Sequence, residues 1–579
     1  MIRTRTLVFI STLCLFCAAD VPLFANIPLE TVAQNGELKD PSGIESMLRR
    51  LREDGMNGII ADMWWSVVEQ QPKQYNFKPY RQLLTLAEAN GLRVKFILGF
   101  HDCGSTYGDD CDIKLPAWVL KERSNDVFYK DSAGSASESY ISLFADEAAL
   151  FGDDSSRRTP LQIYGDFIEH FSAEFKEDLN KTIDSVVIGL GPSGQLRYPS
   201  YRVDKNAFCG VGSFQSFDKH ALESLERAAV LHDAHRIASR DDGESTSPLT
   251  ANTKFAGRRG VEEVFNYESK PNQTRFFRTL RKVCDLHPLQ REACNRESLD
   301  SCHEAGCCWD ETQDVKCYRQ ADMHCKLVET KEECGYWGIS EGQCLQKGCC
   351  WEPNNKGKPY CFRSTGTDNY QTAYGRFFLR WYTDKLLEHG EKVLHDARLR
   401  LPSLPIQIKA PSVFWMRNDP SRAAEATAGY SSTGSADPYR DLMLVLRRYK
   451  VGLIFSGFDA LNKEYNEACM ANPEELLSKI ISLADEIGVE LIGEPTLSPL
   501  QQNARYNTVY ELINGLNGYI PFRAVRNSPQ SSDNLRSFID KARTSHPAQQ
   551  YTLKKLRRLL VILERLECAE CLDSTNGFV

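Results

Sequence analysis

Seven short apolar runs in this 579-residue chain end near a residue that can hold a polar ligand or move a proton. Asp62 lies in ADMWW, His101 and Asp109 in FHDCGSTYGDD, and Gln195 and Arg197 in GLGPSGQLRYPSY. Lys409 closes LPIQIKA, Ser456 and Asp459 follow VGLIF, Glu494 closes VELIGE and Arg523 falls in GYIPFRA. A lone Asp or Lys after an apolar run is ordinarily a solvated loop residue, but so many at equivalent positions point to one shared site. Carboxylates and cations beside the adjacent Trp64 and Trp65 suit a sugar, which is apolar on its ring faces and polar at its rim. Glu494 can act as a base toward water. Gln195, an amide, can hydrogen-bond but has no proton to release at a useful pH.

The runs themselves must position these residues. VPLFANIPL, NGIIADMWW, LRVKFILGF (92–100), DSVVIGLG (184–191), LPIQIKA (404–410), VGLIFSG (451–457), VELIGE (489–494) and GYIPFRA (518–524) are eight strand candidates. They are short and continuously apolar, as parallel strands covered on both faces should be. Amphipathic stretches separate most of them. In the first, Asp40-Pro41 offers an N-cap and a first-turn proline, Ile44, Met47, Leu48 and Leu51 recur at helical spacing, and Gly55 can end the helix. Eight such units predict an α/β fold, a (β/α)8 TIM barrel whose site lies at the carboxyl ends of the strands. An open doubly wound sheet is the alternative that the pattern also allows.

The composition is that of a soluble protein, 42% hydrophobic and 26% charged, and a net charge of −8 gives no reason to expect nucleic acid or an anionic membrane as partner. At the start, Arg3 and Arg5 precede LVFISTLCLFCAA, too short to span a bilayer and shaped like a signal-peptide core. Cleavage after Ala19 would make residues 1–19 a signal peptide and the mature chain secreted, with no membrane association; an uncleaved anchor is the other reading. Twelve of the twenty cysteines lie between Cys284 and Cys361, in two stretches of six that nearly repeat and each carry Gly-Cys-Cys-Trp. An even count with adjacent Cys-Cys pairs favours disulfides over a zinc site, so neither metal nor cofactor is expected. Modules this small need such cross-links in place of a core. Asn180-Lys181-Thr182 and Asn272-Gln273-Thr274 are glycan acceptor tripeptides.

Both cysteine stretches resemble the trefoil domain. That resemblance implies modules over 280–320 and 321–364, with Cys284 joined to Cys308, Cys294 to Cys307 and Cys302 to Cys317. In the second copy it implies Cys325 with Cys350, Cys334 with Cys349 and Cys344 with Cys361. Trefoils of this family act as lectin-like or mucin-associated modules, so mucin-type glycans become conceivable partners. The flanking parts, 20–279 and 365–579, resemble the β-amylases, glycoside hydrolase family 14, through DMWWSVVE, FHDCGSTYGD, GLGPSGQLRYPSY, TAGY and the LIGE strand end. The resemblance implies a secreted glycosidase acting on or binding α-1,4-glucans such as starch, glycogen and maltodextrins, by inverting exo-hydrolysis that releases β-maltose. Inversion needs an acid and a base about 6.5–9.5 Å apart. The likeness puts the base on Glu494 and substrate contacts on Asp62, His101, Asp109, Lys409, Ser456, Leu497 and Arg523. It puts the general acid where this chain has Gln195. Phe414 stands in place of a family histidine and Pro495 in place of an asparagine. The expectation is a sugar site with its binding residues kept and its acid replaced; a glucan-binding lectin, or adhesion through the trefoils, are the alternatives to an enzyme.

Overall fold

The computed structural model describes residues 21–495, apart from 106–110, 153–155, 201–207, 239–275, 277–281, 284–292, 295, 297, 305–306, 313, 319–320, 323–330, 334–338, 347–349, 352–360, 365–369, 372 and 433–435; beyond 495 it describes 516, 518 and 519. The leader lies outside these residues, and among the described ones no helix is long and apolar enough to cross a membrane.

All eight expected strands form: β1 (Phe24–Asn26), β2 (Gly58–Trp64), β3 (Arg93–Gly99), β4 (Ile183–Ile188), β5 (Ile406–Ala410), β6 (Val451–Phe455), β7 (Leu491–Gly493) and β8 (Gly518–Tyr519). They make one sheet in sequence order, with every neighbouring pair parallel. β5 and β6 are buried at every position, and β2 at all but Asp62. Helices cover the outer face, among them α1 (Pro41–Glu53), α2 (Lys78–Ala89), α3 (Pro160–Glu174), α4 (Lys219–Ala238), α5 (Ala373–Arg400), α6 (Pro438–Tyr449) and α7 (Pro473–Ile487). α1 starts as its sequence prescribes: Asp40 caps Gly43 N, Pro41 occupies the first turn, and Ile44, Leu48 and Leu51 form the buried stripe. α6 and α7 repeat the device with Asp437-Pro438 and Asn472-Pro473.

The sheet is curled into a barrel, not open. Phe24, Ile60, Ile97, Val187, Ile454 and Ile492, from β1, β2, β3, β4, β6 and β7, meet in one interior cluster. Asn26, at the end of β1, donates a hydrogen bond to Glu494, just past β7, at 3.0 Å. In a flat sheet those two strands would lie roughly 29 Å apart, at about 4.8 Å per strand.

The cysteine-rich insertion interrupts the barrel between α4 and α5. Its two copies share a plan: a short helix (Leu299–Glu304; Glu341–Gln346) followed by an antiparallel strand pair, Cys308–Trp309 with Cys317–Tyr318 and Cys350–Trp351 with Cys361–Ser364. Cys294–Cys307, Cys302–Cys317 and Cys344–Cys361 are disulfides, and Cys308 is also disulfide-bonded. Cys284, Cys325, Cys334 and Cys349 lie outside the described residues.

Candidate active site

Side chains alternate along a strand, so the residue two places beyond each member of the interior cluster also faces inward, one layer nearer the mouth. That step leads from Phe24 to Asn26, Ile60 to Asp62, Ile97 to Gly99, Val187 to Gly189, Ile454 to Ser456 and Ile492 to Glu494. A polar layer therefore sits directly on an apolar one. The two glycines leave a gap in it, and the His101 ring fills that gap: a Cβ on Gly99 would come within 3.2 Å of His101 Cε1, and one on Gly189 within 3.5 Å of Nδ1.

Glu494 is the centre of the layer. Its Oε1 accepts from Asn26 Nδ2 at 3.0 Å and from Lys409 Nζ at 3.1 Å, and its Oε2 accepts from Ser456 Oγ at 3.3 Å. Glu494 is 9% and Lys409 7% exposed, so this ion pair is largely screened from water. These donors engage both carboxylate oxygens and hold the group in one orientation. Asn26 is a member of the site that sequence reasoning missed; the only signal was one amide in an otherwise apolar run.

Gln195 enters through Lys409. The two residues form a parallel bridge, and Leu196 N donates to Lys409 O at 2.9 Å. Bridged parallel residues point to the same side, so Gln195 shares the face from which Lys409 reaches Glu494. The loop folds back tightly to do this. A Cβ on Gly191 would lie 2.5 Å from Gln195 O, and Gly194, at φ +71°, would put one 3.1 Å from His101. The TAGY stretch pins the loop from behind: Tyr430 Oη donates to Leu196 O at 2.7 Å, and Tyr198 N donates to Ala428 O at 3.3 Å. Tyr198 in turn stacks on Tyr382 at 3.8 Å. Arg197 Nε donates to Gln195 Oε1 at 3.1 Å. A guanidinium has no acceptor, so the amide must turn its oxygen to Arg197 and keep its NH2 for whatever occupies the mouth.

His101 is buried, and its pKa is pushed down to about 3, chiefly by burial and further by the positive charges of Lys409 and Arg197. It is a neutral imidazole at ordinary pH, able to hydrogen-bond but carrying no charge. Its buried Nδ1 has no hydrogen-bond partner among the described residues. Two residues on, Cys103 is bonded to Cys111 across the following loop, and Cys209 to Cys469 between the loops after β4 and β6. Asp109, Leu497 and Arg523 lie outside the described residues. Asp459 is buried.

One expectation needs correction. By type and position Trp64 and Trp65 suit a sugar, yet each is only 1% exposed. Trp65 is packed edge-on against Phe100, Trp118 and Tyr164, and its indole N–H donates to Glu69. Trp64 Nε1 donates to Leu29 O, with its ring edge against His101. They brace the layer from outside and offer no open face. Glu69, the last residue of DMWWSVVE, is likewise structural: fully buried, it accepts from Arg158 at 2.8 Å. The one group of possible metal ligands among the described residues, Cys294, Cys307 and Cys317, has its sulfurs committed to disulfides.

Comparison with known proteins gives this geometry a lineage. A sequence model of glycosyl hydrolase family 14 matches residues 24–280 and 307–539. The chain is similar to beta-amylase 2, chloroplastic, of Oryza sativa subsp. japonica, 29% identical over 493 residues that cover 84% of this chain and 69% of that protein. To the beta-amylase of Medicago sativa it is 27% identical over 496 residues, 84% of this chain and 77% of the other. Among solved structures, the catalytic domain of beta-amylase from Paenibacillus polymyxa matches with a TM-score of 0.60 at 19% identity, over 90% of this chain and 99% of that one, a likeness of fold.

Proposed function

Because the chain belongs to glycosyl hydrolase family 14, we propose that its barrel mouth binds α-1,4-glucans and that their hydrolysis is slow because the acid half of an inverting pair is an amide. The observation that carries this reading is the contrast between Glu494 and Gln195. Glu494 is held by Asn26, Lys409 and Ser456 in the manner of a base that deprotonates water. Gln195, on the same face as Lys409, has its amide oxygen taken by Arg197, which leaves an NH2 group as what it can offer a ligand. That group can donate a hydrogen bond to the glycosidic oxygen but cannot follow it with a proton, so the sugar must leave as an alkoxide. Loss of general acid help costs about 10²–10⁴-fold in rate. Binding is spared, because glutamine has the size and reach of glutamate.

In this reading Asp62, His101, Asp109, Lys409, Ser456, Leu497 and Arg523 contact the glucan, and Glu494 activates the water that would release β-maltose. The chain is exported behind residues 1–19. Five disulfides among the described residues support an oxidising destination. Segments 280–320 and 321–364 are trefoil modules with the first-to-fifth, second-to-fourth and third-to-sixth pairing. Calorimetric titration with maltotetraose, alongside maltose release from soluble starch, tests the reading. Binding with turnover far below that of an ordinary glycosidase supports it, and absence of binding refutes it.

A further inference from the structure

A departing group whose anion is stable leaves a sugar unaided, whereas one whose anion is unstable must take a proton as it goes. Between Glu494 and Gln195 the site separates these two cases. Glu494 is held in one orientation by Asn26, Lys409 and Ser456, and in the proposed function it takes the proton of the attacking water. Gln195 supplies a hydrogen bond and no proton. The loss therefore falls on one side of the bond to be broken, and only substrates that leave as poor anions, such as sugar alkoxides, feel it.

The surroundings of Gln195 say which departing groups suit it. Gly194 and Leu196 on either side are buried, whereas Gln195 itself is only half-buried. Its amide oxygen accepts from Arg197 Nε at 3.1 Å, which leaves the NH2 for a ligand. A carboxylate at position 195 would place a negative charge beside the guanidinium. The amide places none, so the region is one charge more positive than it would be with an ionised glutamate. Burial, and beyond it the positive charges of Lys409 and Arg197, keep His101 neutral, so both cations act at a ring that packs against this loop. A Cβ on Gly194 would come within 3.1 Å of that ring. Lys409 is paired with Glu494, and Arg197 is the cation that bears on the departing group. With Arg197 2% and Lys409 7% exposed, an anion there meets an N–H donor and a cation in surroundings largely screened from water.

We infer that the chain hydrolyses α-maltosyl phosphodiesters, glycosides whose departing group is a phosphate monoester. The inference rests on the proposed glucan-binding function and names a substrate class that the same site turns over without an acid. The oxygen of a water activated by Glu494 bonds to C1 as the bond from C1 to the phosphate oxygen breaks. The bonding pair stays on that oxygen, which accepts a hydrogen bond from Gln195 Nε2, and the water proton passes to Glu494 and then to solvent. The products are β-maltose and a phosphate monoester dianion. A phosphate monoester takes up its second proton only below a pKa of about 6, so at neutral pH the dianion leaves with no proton to accompany it.

Three substrates that share the maltosyl unit test this on the intact protein at pH 7: maltotetraose, 4-nitrophenyl α-maltoside and α-maltosyl methyl phosphate. The first leaves as an alkoxide and the other two as stabilised anions, of which only the phosphate is charged beforehand. The natural chain should turn over the methyl phosphate at least about 10²-fold faster than maltotetraose, and faster than the nitrophenyl glycoside, with β-maltose as the first product by proton NMR. Gln195→Glu should then move two substrates in opposite directions. Maltotetraose should rise by about 10²-fold or more, while the methyl phosphate falls about fivefold, because the new carboxylate repels it. Glu494→Gln in the natural chain should abolish release from the methyl phosphate. A natural chain that binds maltotetraose but turns over the methyl phosphate no faster overturns the inference and leaves the proposed function standing. A methyl phosphate slower than the nitrophenyl glycoside overturns it too, since the site would then favour any acidic leaving group and not an anionic one. A natural chain that binds no maltotetraose refutes the proposed function itself.

Discussion

Replacing Gln195 by Glu is the perturbation whose outcome the site geometry determines most fully. The base side is already assembled: Glu494 has three donors on its carboxylate, at 3.0, 3.1 and 3.3 Å. The loop side is assembled too, by the Leu196 bond to Lys409 and the Tyr430 hydroxyl on Leu196 O. Glutamate for glutamine exchanges an NH2 group for an oxygen and alters no packing. On the proposed function, the deficit to be recovered is that of the missing acid alone, about 10²–10⁴-fold in maltose release, or about 3–5 kcal/mol of barrier. Arg197 Nε, 3.1 Å from the present amide oxygen, would sit beside the new carboxyl and favour its ionised form, so the gain should grow as pH falls. Maltose release from maltopentaose between pH 4 and 8, with the product anomer read by proton NMR at early times, is the assay. β-Maltose at a rate far above that of the natural chain is expected. A natural chain that already turns over at ordinary enzyme rates, unchanged by Gln195→Glu, would show that Gln195 is not at the acid position.

In the Gln195→Glu background, Glu494→Gln should abolish the recovered activity while changing maltotetraose affinity by less than about tenfold; the paired rate and titration measurements separate loss of the base from loss of binding. Asp218, buried at the start of α4, accepts from Ser142 Oγ and Ala221 N at 3.0 and 2.9 Å, and burial nevertheless pushes its pKa up to about 7. The unfolded carboxyl ionises near 3.8, so between the two values the unfolded chain holds fewer protons and stability falls as pH rises. Between pH 5 and 8 the loss is roughly 2–3 kcal/mol, and Asp218→Asn should remove that slope in urea titrations at the two pH values. Disulfide mapping by mass spectrometry should find the twelve cysteines of 284–361 paired only among themselves; any link from them to the barrel contradicts their reading as two self-contained modules.

The strands were legible because parallel strands covered on both faces must be written as continuous apolar runs, and a turn follows each one. The meeting of Lys409, Ser456 and Glu494 was legible for the same reason: the next inward position after the last apolar one is where the barrel opens. Asn26 was not, because one amide within VPLFANIPL reads as an imperfection until β1 is seen to close against β7. Trp64 and Trp65 show the opposite failure. Their types suited a sugar, but sequence does not reveal that Phe100, Trp118 and Tyr164, drawn from distant segments, bury Trp65. Glu69 resembles a mouth carboxylate in its motif and is neutralised by Arg158, 89 residues away. The Cys209–Cys469 bridge spans 260 residues and only the barrel's circular order makes those loops neighbours.

The central claim, a glucan site with an intact base and an amide in place of the acid, is tested most directly by a crystal structure of the natural protein soaked with maltotetraose. Its prediction is an uncleaved chain across the mouth, with a glycosidic oxygen within hydrogen-bonding reach of Gln195 Nε2 and a water held by Glu494 on the opposite side of the adjoining ring. An empty mouth, a chain that passes far from Gln195, or two separated maltose units in the site would contradict it.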